Sequence, residues 1–163
     1  IAYAGQLETS MYAGAHKKDD ATVIGWRQLH SLEEALSKNY FALKQDTELL
    51  NREIVRVMID LGLSRTIERR KIKPDEIDWY LPHYSSDFFR EKIYTALEGI
   101  GFKIPYEKWF TNLAYKGNTG SASIYVIMEE LFHSGQLKAG QKLLCFIPES
   151  GRFSVAYILL TVV

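Results

Sequence analysis

Two apolar runs, each ending in a loop and each followed by an amphipathic segment, constrain the fold of this chain more than any other feature. The first is Ile77-Asp78-Trp79-Tyr80-Leu81-Pro82-His83, followed by a segment from about Phe88 to Gly99 with Phe89, Ile93 and Leu97 at helical spacing. The second is Trp109 to Leu113, which leads through Lys116-Gly117-Asn118-Thr119-Gly120 into Ser121–Phe132, where Ile124, Ile127, Met128 and Leu131 share one face. Short apolar runs read as buried strands, and a period near 3.6 reads as a helix against a core. Repeated strand–loop–helix units commit a chain to layered α/β architecture, in which ligands collect at the carboxyl ends of the strands. His83 and Asn118 both fall at such ends, 35 residues apart.

The flanking segments extend the pattern. Residues 1–8 are compatible with a leading strand, and 9–40 with a long loop holding a hairpin or short helix. From Asp46, the residues Leu50, Ile54, Val57, Met58 and Leu61 recur at helical spacing, with a kink expected at Gly62 and Ser64. Pro74 suits the first position of a helical turn. Gly135 ends the helix after Asn118. Lys142–Ile147 and Phe153–Val163 form a hairpin across Pro148-Glu149-Ser150-Gly151-Arg152. The expected sheet is mixed and mostly parallel, with helices on its faces and an antiparallel hairpin at the C-terminus. Residues 1–48 form a leading strand with a loop and helical segment, and 49–163 form the principal domain.

Composition narrows the function. The 163 residues are 47% hydrophobic and 25% charged, with a formal net charge of zero, which fits a globular domain and gives no reason to expect nucleic acid as a partner. No apolar run reaches the roughly 20 residues of a membrane span. The single cysteine, Cys145, leaves no disulfide framework and no cysteine-rich metal site; a reducing cytoplasm is the expected setting. The chain opens on Ile1, so the later part of a longer polypeptide is expected, with any missing catalytic groups upstream.

In this order, Trp79-Tyr80-Leu81-Pro82-His83, Gly117-Asn118-Thr119-Gly120-Ser121-Ala122-Ser123, Gly135-Gln136-Leu137-Lys138-Ala139-Gly140 and Ser150-Gly151-Arg152-Phe153 resemble the C-terminal half of thiolase-like condensing enzymes. The nearest resemblance is to β-ketoacyl-acyl-carrier-protein synthase III, from about Leu49 to Val163. It implies a decarboxylative Claisen condensation of an acyl thioester with malonyl-carrier protein. His83 and Asn118 would then be the catalytic donors that hold the enolate oxygen, and two neutral N–H donors suit a developing oxyanion. Gly151 would supply a backbone N–H to a second oxyanion hole, and Arg152 beside it would shape the pocket.

The resemblance also implies that the nucleophilic cysteine belongs to the N-terminal half, as a partner of this one within a homodimer. Coenzyme A or phosphopantetheine thioesters would be substrates and acyl carrier protein a partner, with no tightly bound cofactor and no metal. On this reading the 163 residues alone are inactive. Two alternatives stay open: a non-catalytic partner subunit of the chain-length-factor type, and an acyltransferase that does not decarboxylate.

The sequence departs from the family pattern twice. The usual Pro-His-Gln-Ala-Asn is Pro82-His83-Tyr84-Ser85-Ser86, and the usual three-glycine loop is Ser150-Gly151-Arg152 preceded by Glu149. Side chains where bare backbone is usual point to a narrowed or charged pocket in a specialised member. Cys145, inside an apolar strand pattern, reads as a core residue, and His16, His30 and His133 read as surface residues.

Overall fold

The computed structural model describes residues 2–3, 9–18 and 22–163. Its strands are β1 (Ala2–Tyr3), β2 (Met11–Tyr12), β3 (Ala15–Lys17), β4 (Val23–Gly25), β5 (Lys44–Gln45), β6 (Trp79–Pro82), β7 (Lys142–Glu149) and β8 (Ser154–Thr161). Its α-helices are α1 (Leu32–Ser37), α2 (Thr47–Val55), α3 (Ser64–Arg70), α4 (Arg90–Gly99), α5 (Leu113–Lys116) and α6 (Ser123–His133). Apart from Ala2–Tyr3, the expected leading strand lies outside the described residues. The long loop does hold a hairpin, β3–β4, and a short helix, α1.

The main sheet runs in the order β1-β8-β7-β6. β6 and β7 pair in parallel from Trp79 opposite Leu143 to Pro82 opposite Phe146. β7 and β8 form the C-terminal antiparallel hairpin, from Lys142 opposite Thr161 to Glu149 opposite Ser154. Successive side chains on a strand point to opposite faces, and here each face meets helices. Tyr80, Leu144 and Phe146 pack against the layer of α2, α3 and α4, and Leu81, Leu143 and Cys145 pack against α6. The result is a mixed sheet between two helical layers.

The second expected strand, Trp109–Leu113, is corrected to a single parallel bridge between Tyr80 and Trp109. A helical turn at Tyr106–Lys108 runs up to it, the Trp109 indole N–H is tied to the Ile104 carbonyl at 2.8 Å, and Leu113 already opens α5. The parallel part of the sheet is correspondingly the β6–β7 ladder plus this bridge.

Asp46 caps α2 by accepting from the Leu49 N–H, which together with Lys17 holds its carboxyl below the usual range. The expected kink is a π-helical stretch, Arg56–Leu63, that joins α2 to α3. Its i→i+5 bonding widens the turn and rotates the inward face. Leu50, Ile54, Val57 and Met58 are buried as expected, but Leu61 is only half-buried, and Ile59 and Leu63, at 0% exposure, fill the core instead. Tyr157 on β8 donates its hydroxyl to the Met58 carbonyl at 2.7 Å, fastening the π-stretch to the sheet.

Candidate active site

His83 directly follows β6, and its backbone N–H continues the ladder to the Phe146 carbonyl at 2.9 Å. The side chain is 5% exposed, and burial lowers its pKa from the ordinary histidine value, so the imidazole is neutral near pH 7. Among the described residues no side chain or carbonyl hydrogen-bonds to its ring nitrogens.

Asn118 is held by a different device. Asn112, 3% exposed, donates its side-chain amide to Glu130 at 2.8 Å, and the Tyr115 hydroxyl donates to the same carboxylate. These two bonds, Tyr115 first, lower the Glu130 pKa and staple α5 to α6. The loop between the two helices passes through Gly117 (φ 76°) and Gly120 (φ 63°), left-handed positions that favour glycine. Ser123, the first residue of α6, closes the loop from the far side: its Oγ accepts from the Thr119 N–H at 3.0 Å. Asn118 Oδ1 accepts from the Gly120 N–H at 2.9 Å, so the side-chain NH2 is the part left to meet a ligand.

His83 and Asn118 line one cavity of about 360 Å³. Ile54 and Met58 of the long helix, Phe89, Ile93 of α4 and Phe146 of β7 make its apolar walls, and Ser121, Glu149 and Ser150 join the polar rim. Met11 closes one side, a placement with no local signal in the sequence. Its segment is strapped to the C-terminal turn: Thr9 Oγ1 donates to the Gly151 carbonyl at 2.6 Å, and Ser10, fully buried, donates Oγ to Ser150 O at 2.6 Å.

The turn after β7 departs from the expected arrangement. Gly151 is buried beside the cavity, but its N–H donates to Glu149 Oε1 at 2.6 Å. Arg152 is exposed and does not line the cavity; its N–H donates to Glu149 Oε2 at 3.0 Å, and the Ser154 hydroxyl lies 3.3 Å from the same oxygen. The physical reason is Phe153, which is fully buried at φ 56° and turns its neighbour outward.

Cys145 is fully buried, and desolvation pushes its thiol up to about 12, far from a reactive thiolate. His16 does have a partner, the Lys38 carbonyl at 2.9 Å, and it packs on Tyr40. Among the described residues no cluster of three His, Cys, Asp or Glu side chains could hold a metal ion, and no helix is long and apolar enough to cross a membrane.

Comparison with known proteins matches this architecture. β-Ketoacyl-[acyl-carrier-protein] synthase III of Deinococcus deserti is 32% identical over 108 residues, covering 64% of this chain and 29% of that protein. Its namesake from Chlorobium luteolum is 26% identical over 141 residues, covering 85% and 41%. Among solved structures, the synthase III of Thermus thermophilus superposes with a TM-score of 0.67 at 24% identity, covering 98% of this chain and 44% of that one. An OleA variant of Xanthomonas campestris superposes at 0.63 and 21% identity, covering 76% and 34%. These likenesses show the thiolase-like fold, and the chain spans less than half the length of each of these relatives. The family described as 3-oxoacyl-[acyl-carrier-protein] synthase III C terminal matches residues 67–155, more than half of the chain, and the chain belongs to it.

Proposed function

We propose that this chain is the half of a ketoacyl synthase III-like acyltransferase that holds the enolate during decarboxylative condensation. One observation carries the reading: a buried neutral imidazole and a carboxamide with only its NH2 uncommitted face the same cavity. A cysteine in the N-terminal half takes the acyl group from acyl-CoA, and the CoA thiolate leaves. The C–C bond of a malonyl thioester on acyl carrier protein then breaks. Carbon dioxide departs, and the electron pair stays on the remaining two-carbon unit as an enolate. Ring N–H of His83 and amide N–H of Asn118 hold the enolate oxygen. The enolate carbon attacks the acyl thioester carbon, a C–C bond forms, and the cysteine thiolate is expelled. Gly151 N–H serves the oxygen of that acyl thioester.

Residues 49–163 act as the C-terminal domain of this enzyme, and the complete protein works as a cytoplasmic homodimer. The apolar walls from Ile54, Phe89 and Phe146 suit a thioester arm with an alkyl acyl group, with no tightly bound cofactor required.

The test uses the complete protein. His83→Ala and Asn118→Ala are each expected to slow malonyl decarboxylation on the order of 10²–10³-fold while sparing acylation of the cysteine. Decarboxylation at the parent rate in either variant would remove that residue from the mechanism. Absence of acylation in the parent would favour a non-catalytic partner subunit.

A further inference from the structure

The Gly151 turn is a small anion-binding nest that the chain fills with its own side chain. Two consecutive backbone N–H groups, those of Gly151 and Arg152, converge on the Glu149 carboxylate, one on each oxygen, at 2.6 and 3.0 Å. Converging backbone amides of this kind bind anions. A methyl group added at Gly151 would sit 2.7 Å from Glu149 Oε1, so the absence of a side chain there is what lets the carboxylate in. Phe153, with its left-handed backbone and buried ring, holds the turn in a conformation that bulky residues rarely adopt, and such outliers collect at functional turns. Glu149 itself is exposed and lines the cavity shared by His83 and Asn118, so its carboxylate has a path into water.

We propose that Glu149 is a positioning residue for the acyl-transfer step, acting as a removable stand-in for the substrate oxyanion on the Gly151 N–H. This rests on the reading of Gly151 as the acyl-oxygen donor given above. While the carboxylate is seated, that N–H is spent and a negative charge stands where a negative charge must develop. The step proceeds only from the fraction of molecules in which Glu149 has swung out, and the observed rate falls by that fraction. Acyl thioesters that displace the carboxylate are favoured over those that leave it in place.

The test is a single-turnover acylation of the complete protein by a saturating short acyl-CoA, followed by intact mass, alongside thermal melting. Glu149→Ala is expected to acylate about tenfold faster or more while melting lower, with Glu149→Gln between it and the parent. A merely structural carboxylate would lower both quantities together, and that result would overturn the proposal. Amide hydrogen exchange on the parent protein gives a second readout that needs no variant. Slow exchange at Gly151 and Arg152 is expected, and fast exchange at Gly151 would mean that the carboxylate is not seated. Gly151→Pro, which removes the N–H itself, separates the two readings. If it acylates as fast as the parent, Gly151 is not the oxygen donor and both readings fall. If it is dead while Glu149→Ala is no faster than the parent, only the role of Glu149 falls.

Discussion

Two sides of the same cavity treat their hydrogen-bond donors in opposite ways. On the side of His83 and Asn118, donors are left over: Asn118 Oδ1 is tied to the Gly120 N–H, while among the described residues nothing engages its NH2 or the His83 ring. On the side of the C-terminal turn, the donors are consumed by the carboxylate of Glu149. Neither arrangement follows from residue type alone. An asparagine whose NH2 capped a carbonyl would present only an acceptor, and a glutamate turned outward would leave two amides free. The difference lies in which half of each polar group the backbone occupies first.

Asn118→Asp breaks the open side most directly. The aspartate keeps an oxygen for the Gly120 N–H and removes the donor, so decarboxylation in the complete protein should fall on the order of 10²–10³-fold. The melting temperature should hold, because a carboxylate oxygen still accepts from the Gly120 N–H, and a charged acceptor makes the stronger hydrogen bond. A matching loss of stability would mean that the amide is structural.

A smaller effect should appear on the closed side. Gly151→Ala places its new carbon 2.7 Å from Glu149 Oε1, the far end of an exposed and flexible side chain, so the carboxylate should swing out at a cost of roughly 0.5–1.5 kcal/mol in lost hydrogen bonding to the turn. In a Glu149→Ala background the next contact is Met11 Cβ at 3.7 Å, an ordinary distance, so the cost should largely vanish. Additive melting shifts across that double-mutant cycle would show that the two residues do not compete for the same space.

The smallest effect is on pH dependence. Burial lowers the His83 pKa in the folded protein, so below the ordinary histidine value near 6.5 the unfolded state binds more protons. Stability should therefore fall as pH drops from about 6.5 toward the depressed folded value and should be indifferent to this group above it. Denaturant midpoints of the parent and His83→Gln, compared between pH 7.5 and 5.5, should converge at the acid end. Parallel curves would mean that the imidazole is better solvated than its 5% exposure suggests.

What was legible in the sequence was local. His83 stands where a strand meets a loop and Asn118 in the glycine loop between two helices, and each placement needs only the elements beside it. Phe89, Ile93 and Leu97 came out buried for the same reason. The errors have non-local causes. Ile59 and Leu63 displace Leu61 from the core because the helix widens where Tyr157 takes the Met58 carbonyl. Trp109 fails to extend a strand because its backbone N–H closes the preceding helical turn on the Tyr106 carbonyl. Met11 reaches the cavity through bonds between Ser10 and a turn some 140 residues away. The state of the Gly151 N–H was hidden by a finer matter: Glu149 was visible as a charge near the pocket, but its target depends on the left-handed backbone at Phe153.

The fastening of the π-stretch also sets a timetable. Tyr157 is made 99 residues after Met58, whose carbonyl it binds. At the ~5–20 residues per second of synthesis, the long helix therefore waits roughly 5–20 s for the strand that covers it. Through that interval Ile59 and Leu63, which show no exposed surface once folded, lack part of the core that encloses them. The hairpin that ends the wait is local and closes within microseconds once its turn is out. The hazard of misassociation on the ribosome is thus concentrated in the π-stretch, and its relief in β8.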